Sequence, residues 1–309
     1  MKRQRQSIPK EQRYSRDDFR RDFPHDDACL EYIKEQRWPN GITICDSDQC
    51  RGAQRKHHRV TGRTAYACDY CGKHIYPLAG TIFEKTSTPL HKWFEAMFLM
   101  GATRCGISAK QIQREIVVTY KTAWRIAHQL RKLLSEDLQL EGSSVEIDET
   151  YVGGVRKYNP GRPMRGDKKK TPAMGMVERG GRVVALAVGD VKGSTLLGHI
   201  QNHVLPDSMI FTDELGGYDG IKHMPNGYNH RRIKHSAGVY VRGNIHTNTI
   251  EGFWSLVKRG IGGVYHSVSQ KHLQHYLDEY SFRYNRRDDA KPMFASFLEQ
   301  VFLKVEQAS

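Results

Sequence analysis

Two groups of residues in this 309-residue chain have types and spacings that suit chemistry. The first is a set of cysteines. Cys45 and Cys50 form one close pair and Cys68 and Cys71 another, with seventeen residues between the pairs. Four thiolates in two close pairs suit a tetrahedral zinc ion, each pair carried on a tight turn. Gly72 follows the second pair, where such a turn needs a backbone angle that glycine adopts freely. The four-residue spacer of the first pair is longer than the usual two, and His57, His58 and His74 are alternative ligands. Cys29 and Cys105 stand alone and read as small buried hydrophobes.

The second group is acidic: Asp148, Asp213 and Glu251. Asp148 lies in residues 144–153 (SVEIDETYVG), whose alternation and β-branched residues predict a strand. Asp213 ends the short apolar strand 208–213 (SMIFTD), a position poor for packing and good for holding a ligand. Glu251 lies in 246–259, an amphipathic helix with Ile250, Phe253, Trp254 and Val257 on its apolar stripe. Asn248 or Thr249 is expected to cap its start and Gly260 to end it. Lys258 comes seven residues after Glu251, on the same side and about 10 Å further along the axis. Three converging carboxylates repel one another unless divalent cations sit between them. Two Mg²⁺ or Mn²⁺ ions, about 4 Å apart, would activate a water or a 3′-hydroxyl and stabilise the leaving oxygen of a phosphodiester. Glu149, Glu178, Asp190, Glu214 and Asp219 are rivals by composition.

These groups need a scaffold, and the chain divides into four stretches. Residues 1–22 read as a basic flexible arm. Residues 23–86 hold a helix at 26–36 and the cysteine pairs, with two ribbon strands expected between positions 51 and 66. Residues 87–140 are helical. A first helix starts at Thr88-Pro89 and buries Leu90, Trp93, Phe94 and Met97. A short helix with Ile112 and Ile116 follows, then one with Trp124, Ala127, Leu130 and Leu134 inward and Lys121, Thr122, Arg125, Gln129 and Lys132 outward. That pair has the pattern of a DNA-binding helix-turn-helix. Residues 144–309 alternate strands and helices, an α/β pattern. They include strands at 174–178 and 182–188 joined through Gly180-Gly181, a helix at 194–204, and a Gly-, Pro- and Lys-rich loop at 158–171. A last amphipathic helix at 292–305 caps the core or meets a second subunit.

The formal charge of +14 favours a polyanionic partner, nucleic acid ahead of a membrane surface. No apolar run is long enough to span a membrane, and the first residues lack the apolar core of a secretory signal. A cytoplasmic protein, associated with the nucleoid when on DNA, is expected. Six cysteines in such a compartment mean metal ligands and isolated thiols, not disulfides.

Residues 146–154 (EIDETYVGG), 211–214 (FTDE) with Tyr218, and 246–261 (HTNTIEGFWSLVKRGI) resemble the ISXO-type (ISXO-two-like) insertion-sequence transposases of the DDE superfamily. Residues 78–83 (LAGTIF), 265–273 (YHSVSQKHL) and 276–286 (YLDEYSFRYNR) are similar too. The resemblance implies an RNase H-like DDE catalytic domain after a zinc ribbon and a helix-turn-helix. It makes Asp148, Asp213 and Glu251 the three catalytic acids and Lys258 the residue that positions DNA near the cut. Some relatives carry asparagine as the third ligand, which makes Asn248 a rival to Glu251. The implied activity is that of a transposase. It binds the element's terminal inverted repeats, cuts with water and joins the 3′-hydroxyl to target DNA, as a homo-oligomer on DNA. Its cofactors would be Mg²⁺ or Mn²⁺ at the acids and Zn²⁺ at the cysteines. The alternatives are a transposase-derived DNA-binding regulator without nuclease activity, against which the presence of all three acids argues, and a nuclease that hydrolyses without joining.

Overall fold

The computed structural model describes residues 13–153, 170–233 and 246–306. In chain order the elements are α1 (Arg16–Asp22), α2 (Asp26–Arg37), β1 (Ile42–Ile44), β2 (Gln54–Arg59), β3 (Tyr66–Cys68), β4 (His74–Ile75), α3 (Leu90–Ala102), α4 (Ala109–Glu115) and α5 (Tyr120–Leu133). Then come β5 (Ser144–Val152), β6 (Thr171–Glu178), β7 (Val183–Ala187), α6 (Gly193–His203), β8 (Met209–Thr212), β9 (Asn229–Arg232), α7 (Asn248–Gly260), α8 (Leu273–Asn285) and α9 (Met293–Glu306). They fall into two units. One holds residues 13–104, 109–133 and 290–306, the other 105–108 and 134–289. The expected loop at 158–171 lies almost wholly outside the described residues, as do residues 1–12 of the expected arm.

In the first unit, β1 to β4 form an antiparallel sheet in sequence order. Residues 16–22, expected to belong to a flexible arm, are helical instead. Ser15 and Asp18 form a capping box that satisfies two free backbone donors. Phe19 is buried, stacked on Phe98 at 5.2 Å between ring centroids and edge-on to Phe294 at 5.8 Å. One aromatic among charges anchors the segment. Phe294 belongs to α9, so the last helix, expected inside 144–309, sits in this unit and contacts α3 and α5. The apolar stripe of α5 is Ala123, Ile126, Ala127 and Leu130, while Trp124 is 39 % exposed beside the basic face instead of facing inward. Cys29 is buried as expected, but Cys105 is exposed, and its backbone carbonyl accepts a 2.8 Å hydrogen bond from the Tyr280 hydroxyl.

In the second unit, a five-stranded sheet runs in the order β7-β6-β5-β8-β9. The first three strands are antiparallel, and β5, β8 and β9 are parallel. Alternate residues of a strand face opposite sides of its sheet. Val145 and Ile147 join a core with Leu196, Ile200 and Tyr218 on one side. Val152 joins Ile250, Phe253, Trp254 and Val257 on the other. Glu146 and Asp148 share the parity of Val152, so they lie on the α7 side. Gly175 pairs with Asp148 in register. A Cβ there would lie 2.7 Å from both Ile250 Cδ1 and Trp254 Cζ2, so its absence lets α7 approach the sheet closely.

The ends of α7 differ from expectation. Gly260 has an ordinary helical φ of −67°, and the helix continues through a π turn to His266 at φ 59°. Gly260 is glycine for space, because the Tyr280 hydroxyl lies 1.5 Å from where its Cβ would be. At the other end the N-cap is Thr247, whose side chain makes no capping bond.

Candidate active site and metal centres

Each cysteine pair frames a turn, and the two turns face each other. In the first, Ser47 O accepts from the N–H groups of Cys50 and Arg51, and Arg51 and Gly52 both take positive φ. The longer spacer is thus an extra bend and does not remove a ligand. In the second, Gly72 has φ 73° and donates its N–H to Cys68 O. All four sulfurs lie within 4.8 Å of one another. Cys45 Sγ is 3.5 Å from Cys71 Sγ, and Cys50 Sγ is 3.8 Å from Cys68 Sγ. Sulfurs about 2.3 Å from a central ion stand about 3.8 Å apart at the corners of a tetrahedron. The cage therefore fits zinc. None of the three histidines joins the sulfur group: His57 Nδ1 is 3.2 Å from Arg55 O and His58 Nδ1 is 2.8 Å from Asp69 Oδ1.

The acidic site arises from strand register. Parallel pairing sets Glu146 beside Phe211. Two residues further along each chain, Asp148 and Asp213 come level, just past the last paired residues. Carboxylate oxygens of Asp148, Glu149 and Asp213 lie within 4.8 Å of one another. Asp213 Oδ1 accepts from the Leu215 N–H at 3.0 Å, which sets its orientation. Glu149 Oε2 accepts from the hydroxyl of Tyr218 at 2.9 Å, and Tyr218 is fully buried. Burial, then the charges of Glu149 and Asp213, push the Asp148 carboxyl up to about 7, and Glu251 adds a smaller push in the same direction. Burial and Asp213 also raise Glu149. Half-buried carboxylates gathered this closely, with Asp148 and Glu149 raised, are a site whose repulsion a divalent cation relieves, and oxygen donors suit Mg²⁺ or Mn²⁺.

Of the residues singled out in the sequence, the structure brings Asp148 and Asp213 together. Glu251 lies outside the three-carboxylate group. It is exposed on α7, and its Oε1 accepts from the Thr247 hydroxyl at 3.0 Å. Lys258 is exposed two turns further along, and Asn248 is exposed at the first position of the helix. Glu149 was a rival by composition only. Its signal was adjacency: a second acid next to Asp148, where β5 runs past β8 and Tyr218 is near enough to bind it.

Carboxylates gathered on a mixed sheet, with a cage that fits zinc in a strongly basic chain, suit a metal-dependent DNA-processing protein. Within that class the similarity is specific. Residues 139–285 match the ISXO2-like transposase domain, and residues 24–74 match the transposase zinc-ribbon domain. The chain is 29% identical over 279 residues to an uncharacterized protein in transposable element ISH50 of Halobacterium salinarum, covering 84% of this chain and 91% of that one. It is 30% identical over 107 residues to an uncharacterized transposase-like protein of Haemophilus influenzae, covering 35% of this chain and 84% of that one. The chain belongs to the ISXO2-like transposase family. No helix among the described residues is long and apolar enough to cross a membrane.

Proposed function

We propose that this transposase cuts at the ends of an insertion sequence and joins the freed 3′-hydroxyl to target DNA. The observation that carries the reading is the pairing of β5 with β8, which sets Asp148 beside Asp213. Three antiparallel strands followed by two parallel ones support an RNase H-like catalytic domain. Asp148 and Asp213 hold Mg²⁺ or Mn²⁺, with Glu251 as the third carboxylate. Glu149, fixed by Tyr218, is their acidic neighbour. When bound, the cations supply an activated attacking oxygen and charge stabilisation at the leaving oxygen. Lys258, on the face of α7 that carries Glu251, binds a phosphate beside the cut. The zinc-loaded ribbon and the α4–α5 pair, a helix-turn-helix, bind the terminal inverted repeats. Lys121, Arg125 and Lys132 contact the backbone, which gives affinity, and exposed Trp124 meets base edges, which gives choice. The protein works as a homo-oligomer on DNA, in the cytoplasm at the nucleoid.

The test uses the zinc-loaded chain, a DNA carrying pre-cut element ends, and a supercoiled target. Strand transfer is expected with Mg²⁺ or Mn²⁺. Asp148→Asn and Asp213→Asn should each lower it by roughly a thousandfold, the scale of losing several kcal/mol of transition-state stabilisation. End binding should stay within about twofold. Full transfer by either variant overturns the assignment, and hydrolysis without joining overturns the transfer step. Glu251→Gln should lose far more activity than Glu149→Gln; the reverse order makes Glu149 the third ligand.

A further inference from the structure

We propose that Glu146 is a positioning residue, a buried carboxylate that ties the first turn of α7, and with it Glu251, to the strand that carries Asp148. The proposal rests on the reading of Asp148, Asp213 and Glu251 as cation ligands.

Glu146 is fully buried and sits two residues before Asp148 on the same face of β5. Its Oε2 accepts the backbone N–H groups of Thr249 at 2.7 Å and Ile250 at 3.1 Å. Its Oε1 accepts the Thr249 hydroxyl at 2.9 Å and Arg179 Nε at 2.7 Å. Arg179 also donates through Nη2 to the backbone carbonyl of His246 at 2.7 Å, and its guanidinium lies 3.9 Å from the centroid of the Phe211 ring. His246 Nδ1 stands 3.1 Å from Glu146 Oε1, the distance of an ion pair when the ring is protonated.

The first turn of a helix presents free N–H groups, which the N-cap side chain ordinarily satisfies. Thr247 holds the N-cap position here, and its hydroxyl donates to Glu251 instead. The cap comes from a residue 103 positions earlier in the chain. Burying a carboxylate costs free energy unless its oxygens are well satisfied. Every oxygen of Glu146 is engaged, and each partner belongs to the entry of α7 or clamps it. Negative charge is also favoured at a helix N-terminus. One side chain thus fixes where α7 begins relative to β5, and Thr247 orients Glu251 from the same turn. The separation of Glu251 from Asp148 follows from both contacts.

The probe is Mn²⁺, measured by electron paramagnetic resonance on the full chain with zinc in the ribbon. Glu146→Gln keeps the shape but turns an amide N–H₂ toward donors. It is expected to weaken Mn²⁺ binding roughly 10- to 100-fold, the usual scale for removing a group that orients metal ligands. In a Glu251→Gln background the same change should weaken binding no further, because it acts through Glu251. A role confined to stability predicts a lower Tm with Mn²⁺ affinity unchanged, or equal losses in both backgrounds; either result overturns the proposal. If Glu146→Gln does not fold, Thr249→Val removes one of the four bonds and is read the same way, with a smaller loss expected in the wild-type background and none beside Glu251→Gln. If Asp148→Asn leaves Mn²⁺ affinity intact, the cation site itself is misread. If only the Glu146 and Thr249 variants leave it intact, the site stands and the positioning role falls.

Discussion

The sulfur cage and the carboxylate site are assembled on opposite plans. The cage draws its ligands from within 26 positions of chain, on two turns that a short antiparallel sheet sets face to face. Its apolar cluster consists of the cysteines themselves: Cys45, Cys50 and Cys68, with Cys71 packed against them. The acids come from separate strands of a sheet packed on both faces, with α7 brought against one of them. Each plan suits a metal to a different role. The ribbon gathers its four thiols into a cluster of their own, so a metal bound there acts as part of the core. The α/β unit is closed by packing, and its like charges are held together at a cost before any cation arrives.

The strongest way to break this contrast is to remove zinc. Chelation, or Cys68→Ser, is expected to unfold the ribbon and weaken end binding at least about 100-fold, since structural zinc sites carry much of the folding free energy of such small folds. The α/β unit should still resist limited proteolysis. Normal zinc content in the Ser variant would remove Cys68 from the cage. A smaller effect concerns Asp148. Its folded carboxyl is raised from the ordinary 3.8 to about 7, so the folded state favours the protonated form. Without Mg²⁺ that contribution is fully present below the ordinary value and is lost as pH rises through about 7. The whole interval corresponds to at most about 4 kcal/mol. In zinc-loaded, Mg²⁺-free protein, the Tm of Asp148→Asn should therefore exceed that of wild type by a margin that widens from pH 5 to pH 8. A constant margin would mean that the acids do not strain one another. The smallest effect belongs to packing. Gly175→Ala puts a methyl against Ile250 and Trp254 and should cost about 1–3 kcal/mol, the scale of overpacking. Zinc content should not change, and an unaltered Tm would show that α7 has room to spare.

What the sequence discloses follows the same division. The cysteines are legible because the turns that orient them are local, down to the glycine after the second pair. The strand of Asp148, the strand of Asp213 and the apolar stripe of α7 are legible from periodicity, since Ile250, Phe253, Trp254 and Val257 are all buried. The meeting of Asp148 with Asp213 is legible only through the family resemblance and not from periodicity, because it depends on parallel register between strands far apart in the chain. Nor does periodicity disclose Glu149, whose placement needs the hydroxyl of Tyr218. The strand β9 (NHRR) lacks apolar alternation and is held by pairing with β8 and by the bonds of Arg232 to Asp219 and to the Leu215 carbonyl. Gly260 looks like a helix terminator until Tyr280 occupies the space beside it. In α1 the charges of DDFRRD hide a single ring that anchors the segment, and in α5 a tryptophan that hydropathy sends inward faces out.

Cys105 gives the molecule a selective chemical handle. Of the six cysteines, four are committed to the cage, and Cys29 is fully enclosed with its thiol pushed up to about 12 by burial. Cys105 alone is exposed, on a loop whose carbonyl Tyr280 pins in place. A maleimide dye or spin label added to zinc-loaded protein should attach there and report on a fixed point of the α/β unit, with no engineering of the remaining thiols.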